Sequence, residues 1–151
     1  MTSTALLSCA GRPVARYTHA PEAGPRPYLH PVTTLAGIPV TEERPADHVH
    51  HLGAGVAVPD VAGYNFWGGR TYVRDQGPTA LDNHGTQRHL GWKLRDPDGF
   101  VQEIGWEAGG TELLREHRTV AVTELTDTAW ALDFSFSLAN RGERHLSIGS
   151  P

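Results

Sequence analysis

The chain has 151 residues, a formal net charge of −4 and only 38% hydrophobic residues, with 17 glycines and 11 prolines. That is one domain's length, with enough chain to bury a core, and an acidic balance that gives no electrostatic basis for a nucleic-acid or acidic-membrane partner. No apolar run reaches the ~18 residues of a membrane span, no basic-then-apolar secretory signal opens the chain, and the lone Cys9 excludes an internal disulfide, so a cytoplasmic protein is expected.

In chain order, Ala5–Ala10 is a short apolar run, Gly11-Arg12-Pro13 a turn, and Val14–Thr18 alternates again, which predicts a hairpin with Cys9 as a buried thiol. Residues 19–27 read as a loop. Tyr28–Thr34 and Ile38–Val40 read as short β segments hinged at Leu35-Ala36-Gly37, with Pro31 and Pro39 confining them to edges or irregular strands. Gly53–Gly63 is small and apolar but lacks the third glycine and the Lys-Ser/Thr of a phosphate cradle, so it predicts a buried strand or close-packed loop. Tyr64-Asn65-Phe66-Trp67-Gly68-Gly69 gathers three aromatics against a bend, either as core or as a sugar-stacking platform.

The second half carries a clear period of two. His84–Leu94 predicts a strand with Leu90, Trp92 and Leu94 on one face and Gln87, His89 and Lys93 on the other; Asp96-Pro97-Asp98-Gly99 is a turn. Phe100–Glu107 places Phe100, Ile104 and Trp106 opposite Glu103 and Glu107, and Ala108-Gly109-Gly110 turns the chain again. Glu112–Leu125 is a strand because Thr119–Thr123 is β-branched, with helix as the alternative over Glu112–Arg118. Trp130, Leu132, Phe134, Phe136 and Leu138 alternate with small or polar residues, and Arg144–Ile148 forms a last short strand. A meander with one apolar face needs a second layer, which the short strands of the first half supply. The expected fold is an all-β antiparallel sandwich, residues 1–151 forming one domain, with Trp92, Trp106 and Trp130 largely buried.

Chemistry concentrates between residues 30 and 51, where His30, His48, His50 and His51 stand among prolines with Asp47 beside the last three. Imidazoles titrate near neutrality and are common metal ligands, so His48, His50 and Asp47 could form a two-histidine, one-carboxylate site for a divalent metal, with His30 or His89 as a further ligand. A cupin would follow His-x-His with a Glu; here Leu52-Gly53-Ala54-Gly55 follows, and no H-E-x-x-H or G-x-S-x-G motif is present. Carboxylates for glycoside chemistry would come from Asp47, Asp82, Glu103 and Glu107. His89 is a better site candidate than His84, while His19, His117 and His145 read as incidental.

Arg26-Pro-Tyr-Leu-His-Pro31, the run Leu-Ala-Gly-Ile-Pro-Val-Thr over 35–41, Pro45-Ala-Asp-His-Val-His-His51 and Asn65-Phe-Trp67 together resemble the bacterial PmoA-like family, labelled methane oxygenase PmoA. Asn83–His89, the Asp-Pro-Asp-Gly turn and the closing Ile-Gly-Ser-Pro (148–151) continue the resemblance over nearly the whole chain. It implies a mutarotase-like β-sandwich and carbohydrate chemistry of hydrolase, lyase or epimerase type. His30, His48, His50, His51 and His89, with Asp47, would then be catalytic, and Tyr28, Tyr64, Asn65, Phe66 and Trp67 would bind the substrate. The label itself implies a metal-dependent oxidoreductase, and a non-catalytic sugar-binding module is the third reading. Family members run on well past the Gly-Ser-Pro motif, so the resemblance implies a sandwich incomplete at its C-terminus, with an exposed sheet edge through which copies would self-associate.

Overall fold

The computed structural model describes residues 1–22 and 24–149; Ala23 of the predicted 19–27 loop and Ser150-Pro151 of the closing motif lie outside them. Among the described residues all regular structure is β. Strands β1 (Ser3–Cys9) and β2 (Arg12–Ala20) form the predicted hairpin, and β3 (Tyr28–Val32) adds to β2, giving a three-stranded sheet in the order β1-β2-β3. The first turn sits at Ala10-Gly11, both with positive φ (47° and 78°), the two-residue geometry that matches strand twist. Two short pieces follow: β4 (Asp60–Val61), then a small hairpin of β5 (Thr71–Val73) and β6 (Gly77–Thr79). The second half is a meander of β7 (Thr86–Asp96), β8 (Gly99–Ala108), β9 (Thr111–Glu124) and β10 (Trp130–Asn140), in the order β10-β9-β8-β7. The closing β11 (Ile148–Gly149) pairs with β4. No helix among the described residues is long and apolar enough to cross a membrane.

One face of the meander is covered in two halves. Leu7, Cys9, Val14, Tyr17, Leu29 and Val32 of the three-stranded sheet pack on Phe100, Val120 and Val122. Next to them Val56, Val61 and Phe66, from the irregular segment after β3, pack on Ile104, Trp106, Ala108 and Leu114. Each large apolar side chain so buried contributes about 1.5–3 kcal/mol. The Gly-rich stretch is thus a close-packed loop with only β4 regular. Gly53 (φ 74°) shows how close: a Cβ there would meet the Leu29 carbonyl oxygen at 2.3 Å.

The layers also meet through polar groups. Glu116, Arg118 and Gln102 are fully buried and Gln87 nearly so. They lie on the inward phase of their strands, in register with Val120 and Ile104. Arg118 donates to Glu116 through Nε (2.6 Å) and Nη2 (3.0 Å), to the Tyr17 hydroxyl (3.0 Å) and to Gln87 Oε1 (3.2 Å), while Trp106 Nε1 donates to Glu116 at 2.7 Å. Burial pushes the Tyr17 phenol up to about 12, against the pull of Arg118. Its hydroxyl donates onward to Gln102, whose Nε2 lies 2.7 Å from His89 Nδ1.

Four expectations need correction. Ile38–Val40 turns back on the end of β3 as expected but pairs only as the single antiparallel bridge Thr33↔Pro39, with Thr34 N to Ile38 O (2.9 Å) and Val40 N to Val32 O (2.8 Å); Pro39, with no N–H to offer, keeps it from extending into a strand. The last strand is Ile148–Gly149 rather than Arg144–Ile148. In β7 the predicted faces are wrong, because Leu90 and Lys93 are extra residues with no counterpart on β8. Each bulge reverses the alternation. Gln87, His89 and Trp92 therefore face the core and Leu94 is exposed. Finally, only Trp106 is fully buried; Trp92 and Trp130 are half-buried at the rims.

Candidate functional site

The 44–52 segment folds into two consecutive turns, closed by His48 N to Pro45 O and His51 N to His48 O, both at 2.9 Å, and tied at its base by Arg44 N to His51 O at 2.8 Å. This local winding, helped by the φ-restricting Pro45, stacks three imidazoles that an extended strand would point to opposite sides. Ring centroids of His48 and His51 are 4.9 Å apart, His50 and His51 4.6 Å, and His48 and His50 5.8 Å. Trp67 meets His50 edge to face at 4.6 Å. Buried Arg26 staples the two loops, donating to the carbonyls of Trp67 and of His50 (3.1 Å for the latter).

The loop carrying Trp67 is shaped by Asn65, which is wholly buried and fully bonded. Its Oδ1 accepts from Trp67 N (2.9 Å) and Gly68 N (3.1 Å), and its Nδ2 donates to Gly69 O (2.9 Å) and Thr71 Oγ1 (3.1 Å). His84 Nε2 donates to the same Gly69 carbonyl at 2.9 Å, which leaves Nδ1 as the unprotonated nitrogen of a neutral ring. An open groove of about 750 Å³ runs between these loops, lined by Asp47, His48, His50, Trp67, Tyr72 and His84 among others. His51 faces a second, neighbouring hollow of about 360 Å³ beside Arg26 and Leu52.

Electrostatics differentiates the rings. Asp47 Oδ2 lies 3.1 Å from His48 Nδ1, so the carboxylate orients His48 with Nδ1–H inward and Nε2 as the basic nitrogen. Asp47's own backbone amide and His48 hold its carboxyl below the usual range. Burial, then the neighbouring His51, His48 and Arg26, lower the pKa of His50 and so favour its neutral form. Its Nε2 is shut away from solvent and has no hydrogen-bond partner.

The structure brings together His48, His50, His51, Asp47 and Trp67, keeps Asn65 wholly buried beneath the Trp67 loop rather than facing a ligand, and separates the other candidates from them. His30 is bonded through Nδ1 to Thr41 Oγ1 at 3.0 Å and lies outside the residues that line the groove. Tyr28 is buried and donates to Glu43, Phe66 is buried against Trp106 at 5.0 Å, and Tyr64 packs with the second core group. His89 stands in a different cluster, its ring 4.6 Å from His19 and 4.8 Å from Trp92. Burial, then His89 and Arg95, lower His19 to about 4. Of the carboxylates, Glu103 is held by Lys93 (2.9 Å) and Arg115 (2.6 Å), and Glu107 by Arg88. No three His, Cys, Asp or Glu side chains among the described residues are arranged to hold a metal ion. The predicted His48-His50-Asp47 ligand set does not fit one: Asp47 Oδ2 is taken up by His48 Nδ1 at 3.1 Å, and His50 Nε2 is shut away from solvent.

Sequence reasoning missed His84 and Tyr72 in the groove and the Glu116–Arg118 pair in the core. The pair had a legible signal: residues 116 and 118 share the parity of Leu114, Val120 and Val122. His84 had none, because tertiary pairing with Asn65 and its bond to the Gly69 carbonyl bring it to the Trp67 loop.

The fold and groove define an all-β protein of two packed antiparallel layers with a histidine-lined cleft at one end. It belongs to the family of unknown function DUF6807, which it matches over residues 4–151. No curated protein and no solved structure matches it.

Proposed function

We propose that this is a carbohydrate-active protein of the PmoA-like kind, in which the histidine cluster transfers protons on a sugar bound in the groove. The observation that carries the reading is the Asp47–His48 pair, set beside His50 on a wall shared with Trp67. A carboxylate that orients an imidazole leaves the far ring nitrogen to act as a general base, and an indole at the same groove offers a face for the C–H side of a pyranose or furanose. Epimerisation or elimination next to a carbonyl needs one group to take the proton and a second to return it. In such a step one of His48 Nε2 and His84 Nδ1 takes the proton as the neutral base, the other enters protonated and returns one, and exchange with solvent resets the pair.

The test is solvent-deuterium incorporation. The chain is incubated in D₂O with ketoses, sugar acids and glycosides, and NMR reads exchange at the carbon beside the carbonyl or release of a free sugar. His48→Ala and His50→Ala are expected to lower the rate by at least about 100-fold with the melting temperature nearly unchanged, while His117→Ala leaves both alone. Saturable sugar binding without turnover would assign the groove to a binding module instead. Neither binding nor turnover across the panel would overturn the proposal.

A further inference from the structure

We infer that β10 is a self-complementary dimerisation strand: two copies pair antiparallel about a two-fold axis through Ser135, joining their four-stranded sheets into one. Among the described residues β10 is an edge, paired with β9 on one side only. Its register on β9 is unbroken over all eleven residues, from Trp130↔Glu124 to Asn140↔Leu114. A bulge-free edge of this length is a template for another strand.

The strand's own sequence says which one. Trp130, Leu132, Phe134, Phe136 and Leu138 share the inward phase, yet Phe136 is 48% exposed and the others only half-buried. An antiparallel pair that keeps inward faces together must match residues of equal parity. Centring on Ser135 engages the whole strand: Leu132 lies opposite the partner's Leu138, and Phe134 opposite the partner's Phe136. On the outer face Ser135 meets itself, Ala131 meets the partner's Ala139, and Asp133 meets the partner's Ser137. Asp133 is the strand's single charged residue, and this register keeps the two copies of it apart, so no like charges oppose. Cross-strand aromatic pairs would close over the part of the face that the monomer leaves open, and the interface is isologous, as a closed two-fold dimer requires.

The register makes the test specific. Cys9 is buried, so an introduced thiol is the reactive one. Directly opposed residues in an antiparallel pair have Cα atoms about 4.5–5.5 Å apart, inside the range of about 4.4–6.8 Å that a disulfide spans. Ser135→Cys should therefore form an intermolecular disulfide on mild oxidation. Ala131→Cys and Ala139→Cys should cross-link when mixed and not when oxidised separately. Light scattering on the unmodified chain should give a dimer, and Phe136→Glu, at an exposed position, should give a folded monomer with the same circular dichroism. A monomer at ~100 μM, or a dimer that Phe136→Glu leaves intact and Ser135→Cys does not trap, overturns the inference; cross-linking by Ala131→Cys alone overturns the register.

Discussion

The fully buried pair of Glu116 and Arg118 offers the sharpest test of the fold. Arg118→Met keeps the aliphatic volume and removes five hydrogen bonds: two to Glu116 and one each to Tyr17, Gln87 and the Pro27 carbonyl, the last a long one at 3.5 Å. Glu116 then stays at 0% exposure with Trp106 Nε1 as its remaining donor. Breaking a buried pair from one side costs about 3–5 kcal/mol, and the acceptor stranded on Gln87 adds about 1 kcal/mol. At about 2–4 °C per kcal/mol for a chain of this size, the melting temperature should fall by roughly 10–20 °C. Glu116→Leu should cost about as much, for it strands the guanidinium. The double variant removes both charges and leaves Trp106 N–H, Gln87 Oε1 and the weakly bonded Pro27 carbonyl short of a partner, so its cost should be about 2–4 kcal/mol, well below the sum of the singles. Urea denaturation followed by tryptophan fluorescence, at one fixed protein concentration, measures all four corners of the cycle. A loss below about 1 kcal/mol for Arg118→Met, or strict additivity, would refute a dry, coupled pair.

Two further outcomes follow from the geometry. His19 has an ordinary pKa of 6.5 and a folded value of about 4, so between those pH values the unfolded chain binds a proton that the folded chain refuses. Stability is complete above about pH 6.5 and falls by roughly 1–3 kcal/mol as the pH drops to about 4; His19→Phe should flatten that slope in a thermal melt series. Gly85→Ala would set a Cβ 2.3 Å from Phe66 Cζ, where Gly85 N is already fixed to Asn65 O at 2.9 Å, and should cost about 1–3 kcal/mol by calorimetry. Gly91→Ala, whose Cβ meets nothing within 4 Å, should change stability by no more than about 0.5 kcal/mol, and equal effects would argue against the Phe66 packing.

The meander was readable because its strands are long and their alternation is uninterrupted: Phe100, Ile104 and Trp106 face inward as their spacing says. The rule fails in β7 for a reason that composition hides, since an unpaired residue is a property of two strands together. The imidazole cluster was half legible. Proximity in sequence marked His48, His50 and His51, and the same proximity misleadingly drew in His30, which a Thr41 hydrogen bond holds elsewhere. His84 and His19 gain their neighbours only through tertiary contacts, with Gly69 and with Trp92. Among the aromatics, Phe66 and Trp67 are adjacent, yet one is buried against Trp106 and the other walls the groove, because consecutive side chains on an extended segment diverge.

The bulges at Leu90 and Lys93 have a further consequence for growth. Two surplus residues make β7 longer than the run of β8 it faces, and each adds right-handed coil, so this margin of the sheet curls toward β2, where Trp92 and His19 meet at 4.9 Å. A coiled rim accepts another strand poorly. The opposite margin, β10, has no slip against β9. If two copies pair there as inferred, a sheet with one receptive margin closes after a single pairing, and neither copy presents a second bulge-free rim of that sheet from which a filament could run on.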